Sequence, residues 1–269
     1  MQNFTAINLS RKIRFPVVPG FPPGEIADRR YRVRFARTPG EIDAALKLRF
    51  EVFNLELGEG LDSSFATLRD QDEFDAQCHH LIVAEKESGE VIATYRMQTR
   101  QMAEAANGFY AGGEFDLSGL TSPVLDNAVE VGRACIAKPH RNGRVLFLLW
   151  KGIAQYMVHA QKRYLFGCCS LTSQDPDEGK AVMDYLEQNG YVRKDVWALP
   201  QPGLECYPAH FIPAKAVEVR IPILFRLYLD YGAKICAPPV IDRSFKTIDY
   251  LVILDLADLD RRTRKMFFQ

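Results

Sequence analysis

One stretch limits the fold more than any other. From Ala128 to Met157 the chain reads AVEVGRACIAKPHRNGRVLFLLWKGIAQYM, and its apolar period changes partway. Val129 to Ile136 is short, alternating and partly β-branched, the pattern of a strand, although Glu130 and Arg133 interrupt it. Lys138 to Arg144 is a polar loop with Pro139 and Gly143 as breakers. From Val145 onward Leu148, Leu149, Ile153, Tyr156 and Met157 recur at helical spacing. A loop that runs into a helix start exposes unpaired N–H groups, and with the helix dipole these favour an anion. Lys138, His140, Arg141 and Arg144 surround the turn. A phosphate or pyrophosphate is one reading of that cluster; a surface loop with solvated cations is the other.

The flanking sequence predicts more strands and helices. Tyr31–Ala36 alternates as a strand, and a helix over 41–57 buries Ile42, Ala45, Leu46, Phe50 and Phe53 on one face. Leu81–Lys86 and Val91–Thr99 form a hairpin around Glu87-Ser88-Gly89-Glu90. Tyr164–Leu171 and residues 248–256 read as buried strands, 191–198 as a further strand, and 178–188, 221–231 and 259–265 as helices. Strands alternating with helices, with a hairpin among them, imply an α/β chain: a mixed sheet covered on both faces. Residues 1–30 form an arm broken by Pro16, Pro19, Pro22 and Pro23. Its basic and apolar LSRKIRF segment suits packing on the domain better than contact with a membrane.

Composition excludes some functions. The 269 residues carry 34 basic and 34 acidic side chains, so no global charge favours nucleic acid. Six cysteines without a C-x-x-C pair, no secretory signal and no apolar run of membrane-spanning length suggest a reducing, cytoplasmic setting. The histidines show no metal spacing, and no metal is expected.

Charges remain inside apolar segments. Arg96, Glu130 and Arg133 fall within predicted strands, Arg49 on the first helix, and Asp72 and Asp75 in an acidic loop. Buried charges are expensive unless paired, so an ion-pair network accounts for the arginines as well as a substrate site does. Glu130, beside the anion loop, is placed to act as a base. Glu130 and Arg133 are an odd number of positions apart and face opposite sides of a regular strand; a bulge between them would reverse that.

The central stretch resembles the acyl-donor signature of the GNAT acyltransferase superfamily. In that superfamily a strand splays, and the next loop and helix start hold the pyrophosphate or phosphopantetheine arm of the donor. Its usual motif is Gln/Arg-x-x-Gly-x-Gly/Ala. Aligned on Gly143, this chain has His140 and Val145 at the flanking positions, unlike acetyl-CoA users. EVGRACIAKPHRNGRVLFLLWKGIAQYM, YLFGCCSL and the tail ILFRLYLDYGAKICAPPVIDRSFKTIDYLVILDLADL resemble ornithine lipid Nα-acyltransferases and long-chain N-acyl amino acid synthases. Arg144 stands where the ornithine enzymes usually have Gly. Arg49 with Phe53, Asp72 with Asp75, Arg96, and Glu130 with Arg133 also resemble the pattern of acyl-homoserine-lactone synthases.

The resemblance implies a GNAT domain over 31–259, including a C-terminal extension from about 200, and a tail over 260–269. It implies direct attack of an amino acid α-amine, such as that of ornithine, on a long-chain acyl thioester, plain or 3-hydroxylated. The thioester is carried by acyl carrier protein or CoA as co-substrate, and no bound cofactor is expected. In this reading Glu130, Arg133 and Arg96 are catalytic. Arg49, Asp72 and Asp75 hold the acceptor, and Lys138, His140, Arg141, Asn142, Gly143 and Arg144 hold the donor phosphopantetheine. Lys138 and Lys151 add a basic surface for the acidic carrier protein, and a long-chain product is compatible with peripheral contact at the inner face of the membrane. The alternatives are a signal synthase using S-adenosylmethionine, a CoA-dependent acetyltransferase and a non-catalytic acyl-carrier-binding module.

Overall fold

The computed structural model describes residues 15–268; most of the LSRKIRF segment lies outside them. A short strand β1 (Ile26–Ala27) pairs with β2 (Tyr31–Phe35). Helix α1 (Pro39–Arg49) starts at Thr38, whose side chain accepts a hydrogen bond from the Glu41 N–H. Over Phe50–Glu56 the same helix continues in wider turns, closed where the Leu57 N–H donates to the Val52 carbonyl at 3.0 Å. One continuous helix is expected there; the wide turns are the kind of insertion that recurs at functional sites.

After α2 (Ser64–Thr67) comes the hairpin of β3 (His79–Glu85) and β4 (Val91–Thr99). The stretch that periodicity leaves unread holds α3 (Arg100–Glu104), β5 (Phe115–Asp116) and α4 (Ser122–Asp126). Then come β6 (Ala128–Ile136), α5 (Gly143–His159), β7 (Tyr164–Leu171) and α6 (Pro176–Gln188). The C-terminal part contributes β8 (Leu199–Pro200), α7 (Ile223–Asp230), β9 (Lys234–Ile235), β10 (Val240–Asp242), β11 (Thr247–Asp255) and α8 (Arg261–Phe268). The strand expected over 191–198 makes only an isolated bridge, Val192 to Ile235.

The main sheet runs β1-β2-β3-β4-β6-β7-β11-β10, with β9 also on β11. Its pairs are antiparallel except β6–β7, which is parallel. Because β11 lies against β7 along its full length, the C-terminal extension completes the sheet. Helices cover both faces. Leu148, Leu149 and Ile153 of α5 and Phe225 and Tyr228 of α7 pack with Tyr95, Val129, Val131 and Val252. On the opposite face Ile42, Ala45 and Leu46 of α1 pack with Ile82 and Cys135. No helix among the described residues is long and apolar enough to cross a membrane.

Two irregularities in β6 set up the site. First, Arg96 pairs with Gly132 and Thr94 with Cys135, so β6 inserts one extra residue against β4. Arg133 takes φ +51 at this bulge, a left-handed conformation costing about 1–2 kcal/mol for a residue with a Cβ. An extra residue flips every later side chain. Val131 accordingly joins one core layer and Cys135 the opposite one. Second, β6 and β7 pair only at Ala128–Tyr164, Val129–Leu165 and Glu130–Phe166, and their register ends there. Gly167 occupies the parting point. A Cβ on it would lie 2.1 Å from the Val131 carbonyl oxygen.

Gly167→Ala should therefore push the two strands apart, destabilising the fold by about 1–3 kcal/mol and lowering the thermal midpoint by several degrees. Gly113→Ala, where a Cβ meets nothing within 4 Å, should leave the midpoint almost unchanged in the same scanning experiment. Equal midpoints for the two variants would refute this account of the parting point.

Candidate active site

The parting of β6 from β7 opens a cavity of about 300 Å³ through the middle of the sheet. Its lining comes from both faces. Tyr95, Leu224, Phe225, Tyr228 and Val252 make an apolar side under α7. Arg96, Gln98, Glu130, Arg133, Ser170 and Asp249 make a polar side. Gly132 and Ala134 present β6 backbone to the cavity beyond the last β6–β7 register pair.

Glu130 sits at the junction and is 5% exposed. Its carboxylate accepts from the N–H groups of Tyr110 (3.0 Å) and Ala111 (2.7 Å) and from Gln98 Nε2 (2.6 Å). A carboxylate offers about four lone-pair sites, so three donors leave room for one more. Burial raises its pKa above the usual carboxylate range, and the donors from Ala111, Gln98 and Tyr110 only partly offset this. Glu130 is thus a better proton acceptor than a surface glutamate while still anchoring the loop before β5.

Behind the polar side lies a buried network of three arginines and three aspartates. Arg49 reaches Asp70 through Nε (3.0 Å) and grips Asp75 with both terminal nitrogens (2.6 and 3.2 Å). Arg96 reaches Asp75 (3.0 Å) and Asp72; Arg133 reaches Asp72 (3.3 Å) and lies 3.6 Å from Asp70. Asp72 and Asp75 also cap each other across the turn at Glu73–Ala76. Burial alone would raise Asp75; Arg49 and Arg96 outweigh it and hold that carboxyl well below its usual range. The formal charges of the six cancel. The β6 bulge is what brings Arg133 to the same side as Glu130: its guanidinium lies over the rings of Tyr110 (4.7 Å) and Phe245 (4.2 Å). Of the candidates named from sequence, Arg96, Glu130 and Arg133 line the cavity, whereas Arg49, Asp72 and Asp75 stand behind it.

The donor loop directly follows β6. Lys138–His140 form one tight turn, and α5 begins at Gly143 with Asn142 as its cap. The Asn142 side-chain oxygen accepts from the N–H groups of Arg144 and Val145, both at 3.1 Å. Arg141 pairs with Glu56 through two bonds of 2.6 and 2.7 Å, and Arg144 pairs with Asp28. His140 Nδ1 lies 3.1 Å from the Tyr31 hydroxyl. Lys138 and Arg141–Arg144 are exposed. Exposed pairs of this kind are worth about 0–1 kcal/mol, so the arginines exchange partners easily.

Reading the sequence missed Gln98 and Tyr110, which position Glu130, as well as Glu114 and Asp249. Asp249 carries the same signal that picked out Arg96: a lone charge inside the apolar run IDYLVIL. Glu114 lies in a stretch without periodicity and carries none.

Residues 48–151, from the end of α1 into α5, match the acetyltransferase (GNAT) domain family. The molecule is thus of the GNAT acyltransferase class. At 33% identity, 86% of the chain aligns with 86% of the L-ornithine N(alpha)-acyltransferase of Brucella abortus. At 31% identity, 85% aligns with 82% of the Agrobacterium fabrum protein of that name. The chain belongs to the L-ornithine Nα-acyltransferase family. FeeM, an N-acyl amino acid synthase from uncultured soil microbes, shares the fold, with a TM-score of 0.50 and 11% identity over 85% of this chain and 92% of that one.

Removing one member of a buried ion network strands its partners. Arg49→Met, which leaves the cavity lining intact, should cost about 3–5 kcal/mol of stability, measured by urea unfolding. A loss below about 1 kcal/mol would show that the network contributes little to the fold.

Proposed function

We propose that this protein transfers a long-chain acyl group from the phosphopantetheine thioester of acyl carrier protein to the α-amine of an amino acid, ornithine foremost. The single observation that carries this reading is the cavity itself, which joins an apolar chamber to a polar one through the gap between β6 and β7. An acyl chain belongs on the side of Tyr95, Phe225, Tyr228 and Val252. A zwitterionic amino acid belongs on the side of Arg96, Glu130 and Arg133. The thioester carbonyl then lies between them, against the β6 backbone.

The amine nitrogen attacks that carbonyl directly. The N–C bond forms, the C–S bond breaks, and the carrier thiol leaves with a proton. Free β6 N–H groups near Gly132 stabilise the oxyanion. Glu130, through its remaining lone pair or one water, takes the proton that the ammonium must lose, and its raised pKa suits the task near neutral pH. Arg133, whose buried Nε has no hydrogen-bond partner among the described residues, receives the acceptor carboxylate. An acyl-enzyme is not needed. Cys168 and Cys169 line the cavity, but burial pushes both thiols up, away from the thiolate that covalent catalysis requires. Lys138, Arg141 and Arg144 at the exposed mouth of α5 receive the donor phosphate and the acidic carrier protein, exchanging Glu56 and Asp28 for it.

With palmitoyl-loaded acyl carrier protein and a pooled set of amino acids, mass spectrometry should find a new N-acyl amino acid. Glu130→Gln should lower its rate about 10²- to 10⁴-fold, the usual contribution of a positioned base. An unchanged rate would remove Glu130 from the chemistry, and no acyl-amide from any donor would overturn the reading.

A further inference from the structure

The polar side of the cavity ends on carboxyl groups that acyl transfer itself does not use. Asp249 of β11 lines the cavity at 3% exposure, and its Oδ1 has no hydrogen-bond partner among the described residues. Glu114, 6% exposed, stands next to it with Oε1 equally unpartnered, while its other oxygen accepts from the Cys168 thiol at 3.3 Å. Ligand atoms of Glu114, Cys168 and Asp249 all lie within 4.8 Å of one another. Glu59, on the wall of the same cavity, holds the Thr172 hydroxyl. Arg133 pairs with Asp70 and Asp72 and keeps its Nε for the acceptor carboxylate, and among the described residues no cation makes an ion pair with Asp249 or Glu114. A buried carboxyl facing a cavity without a counter-charge is costly. Burial raises the pKa of both Glu114 and Asp249, helped at Glu114 by the charges of Asp249 and Asp242 and at Asp249 by that of Asp242. The Ser170 and Thr247 hydroxyls and the Glu114 carboxyl only partly offset it at Asp249. A cationic ligand would relieve that cost.

We propose that Asp249, backed by Glu114 and Glu59, binds the side-chain ammonium of the acceptor, making the enzyme selective for amino acids with a second, basic nitrogen. This assignment rests on the N-acyltransferase reading above. An ammonium has three N–H donors, and Asp249, Glu59 and the Ser170 hydroxyl offer acceptors on the cavity wall, with Glu114 close behind Asp249. A divalent metal is a weaker match, because it would require the Cys168 thiolate, and burial beside Glu114 drives that thiol well above its ordinary range. The arrangement also determines which nitrogen reacts. A side-chain nitrogen held as ammonium has no lone pair, so only the α-nitrogen attacks.

The test compares kcat/KM for ornithine and for norvaline, the same carbon chain without the second amine, in wild type, Asp249→Asn and Glu114→Gln. Wild type should prefer ornithine strongly. Asp249→Asn should shrink the ornithine-to-norvaline ratio about 10- to 150-fold, the worth of a hydrogen bond to a charged group, and Glu114→Gln should shrink it less. Thermal midpoints confirm that the variants fold. Equal wild-type rates on the two acceptors would overturn the assignment while leaving the acyltransferase reading intact. A parallel fall on both acceptors in Asp249→Asn would make Asp249 structural and overturn it as well. Zinc binding by calorimetry that is lost in Asp249→Asn, without ornithine selectivity, would replace the amine by a metal. No acylation of any amino acid by wild type would bring down both readings together.

Discussion

Two parallel strands that pair for three residues and then separate leave a gap in the middle of a sheet, and much of this molecule serves to keep that gap open. Gly167 lets β7 pass close to the Val131 carbonyl just where the β6–β7 register ends, so the gap begins at a tight, glycine-dependent contact. Strand β11 backs the far side of β7, so the sheet remains continuous while its centre is parted. Because β6 and β7 each show one face to α5 and α7 and the other to α1 and the loops before β6, the gap connects two chemically different layers. In the proposed reaction acyl chain and amine approach the same carbonyl from opposite faces, an arrangement that would position the reactants without a covalent intermediate.

The buried charges follow from that geometry. A sheet parted at its centre exposes strand interiors, and the polar face is rigidified by the network of Arg49, Arg96 and Arg133 with Asp70, Asp72 and Asp75. The network ties α1, the loop before β3, β4 and the β6 bulge together, and its charges cancel, which limits the desolvation it must overcome. Two of its arginines reach the cavity, so a single set of ion pairs supports the wall and supplies cations to it. Glu130 stands apart from these pairs, held by neutral donors, and its affinity for a proton is therefore raised.

Local periodicity exposed the strand–loop–helix unit from Ala128 to Met157, the β3–β4 hairpin and the buried β7 and β11, because each buries a regular face. It also marked Arg96, Glu130 and Arg133 as charges out of place in strands. What local pattern does not encode is pairing. The bulge at Arg133 depends on the register of β4 against β6, and the side of the sheet on which Arg133 lies depends on that one extra residue. Whether Asp72 and Asp75 face solvent, substrate or arginines depends on how an acidic loop folds over α1, a tertiary matter. The wide turns after Arg49 keep helical spacing and so read as plain helix, while the irregular stretch holding Tyr110 and Glu114 lacks a period, so the backbone N–H groups of Tyr110 and Ala111 that hold Glu130 were not legible from sequence.

The central claim, that the acyl chain occupies the apolar side of a cavity passing through the sheet, is tested most directly by photo-crosslinking. Acyl carrier protein loaded with a fatty acid bearing a terminal diazirine would be irradiated with the enzyme and the labelled peptides mapped by mass spectrometry. The account predicts label on α7 and β11, at Leu224, Phe225, Tyr228 or Val252. Label confined to the polar wall around Arg96 and Asp249, or to the outer surface, would contradict it.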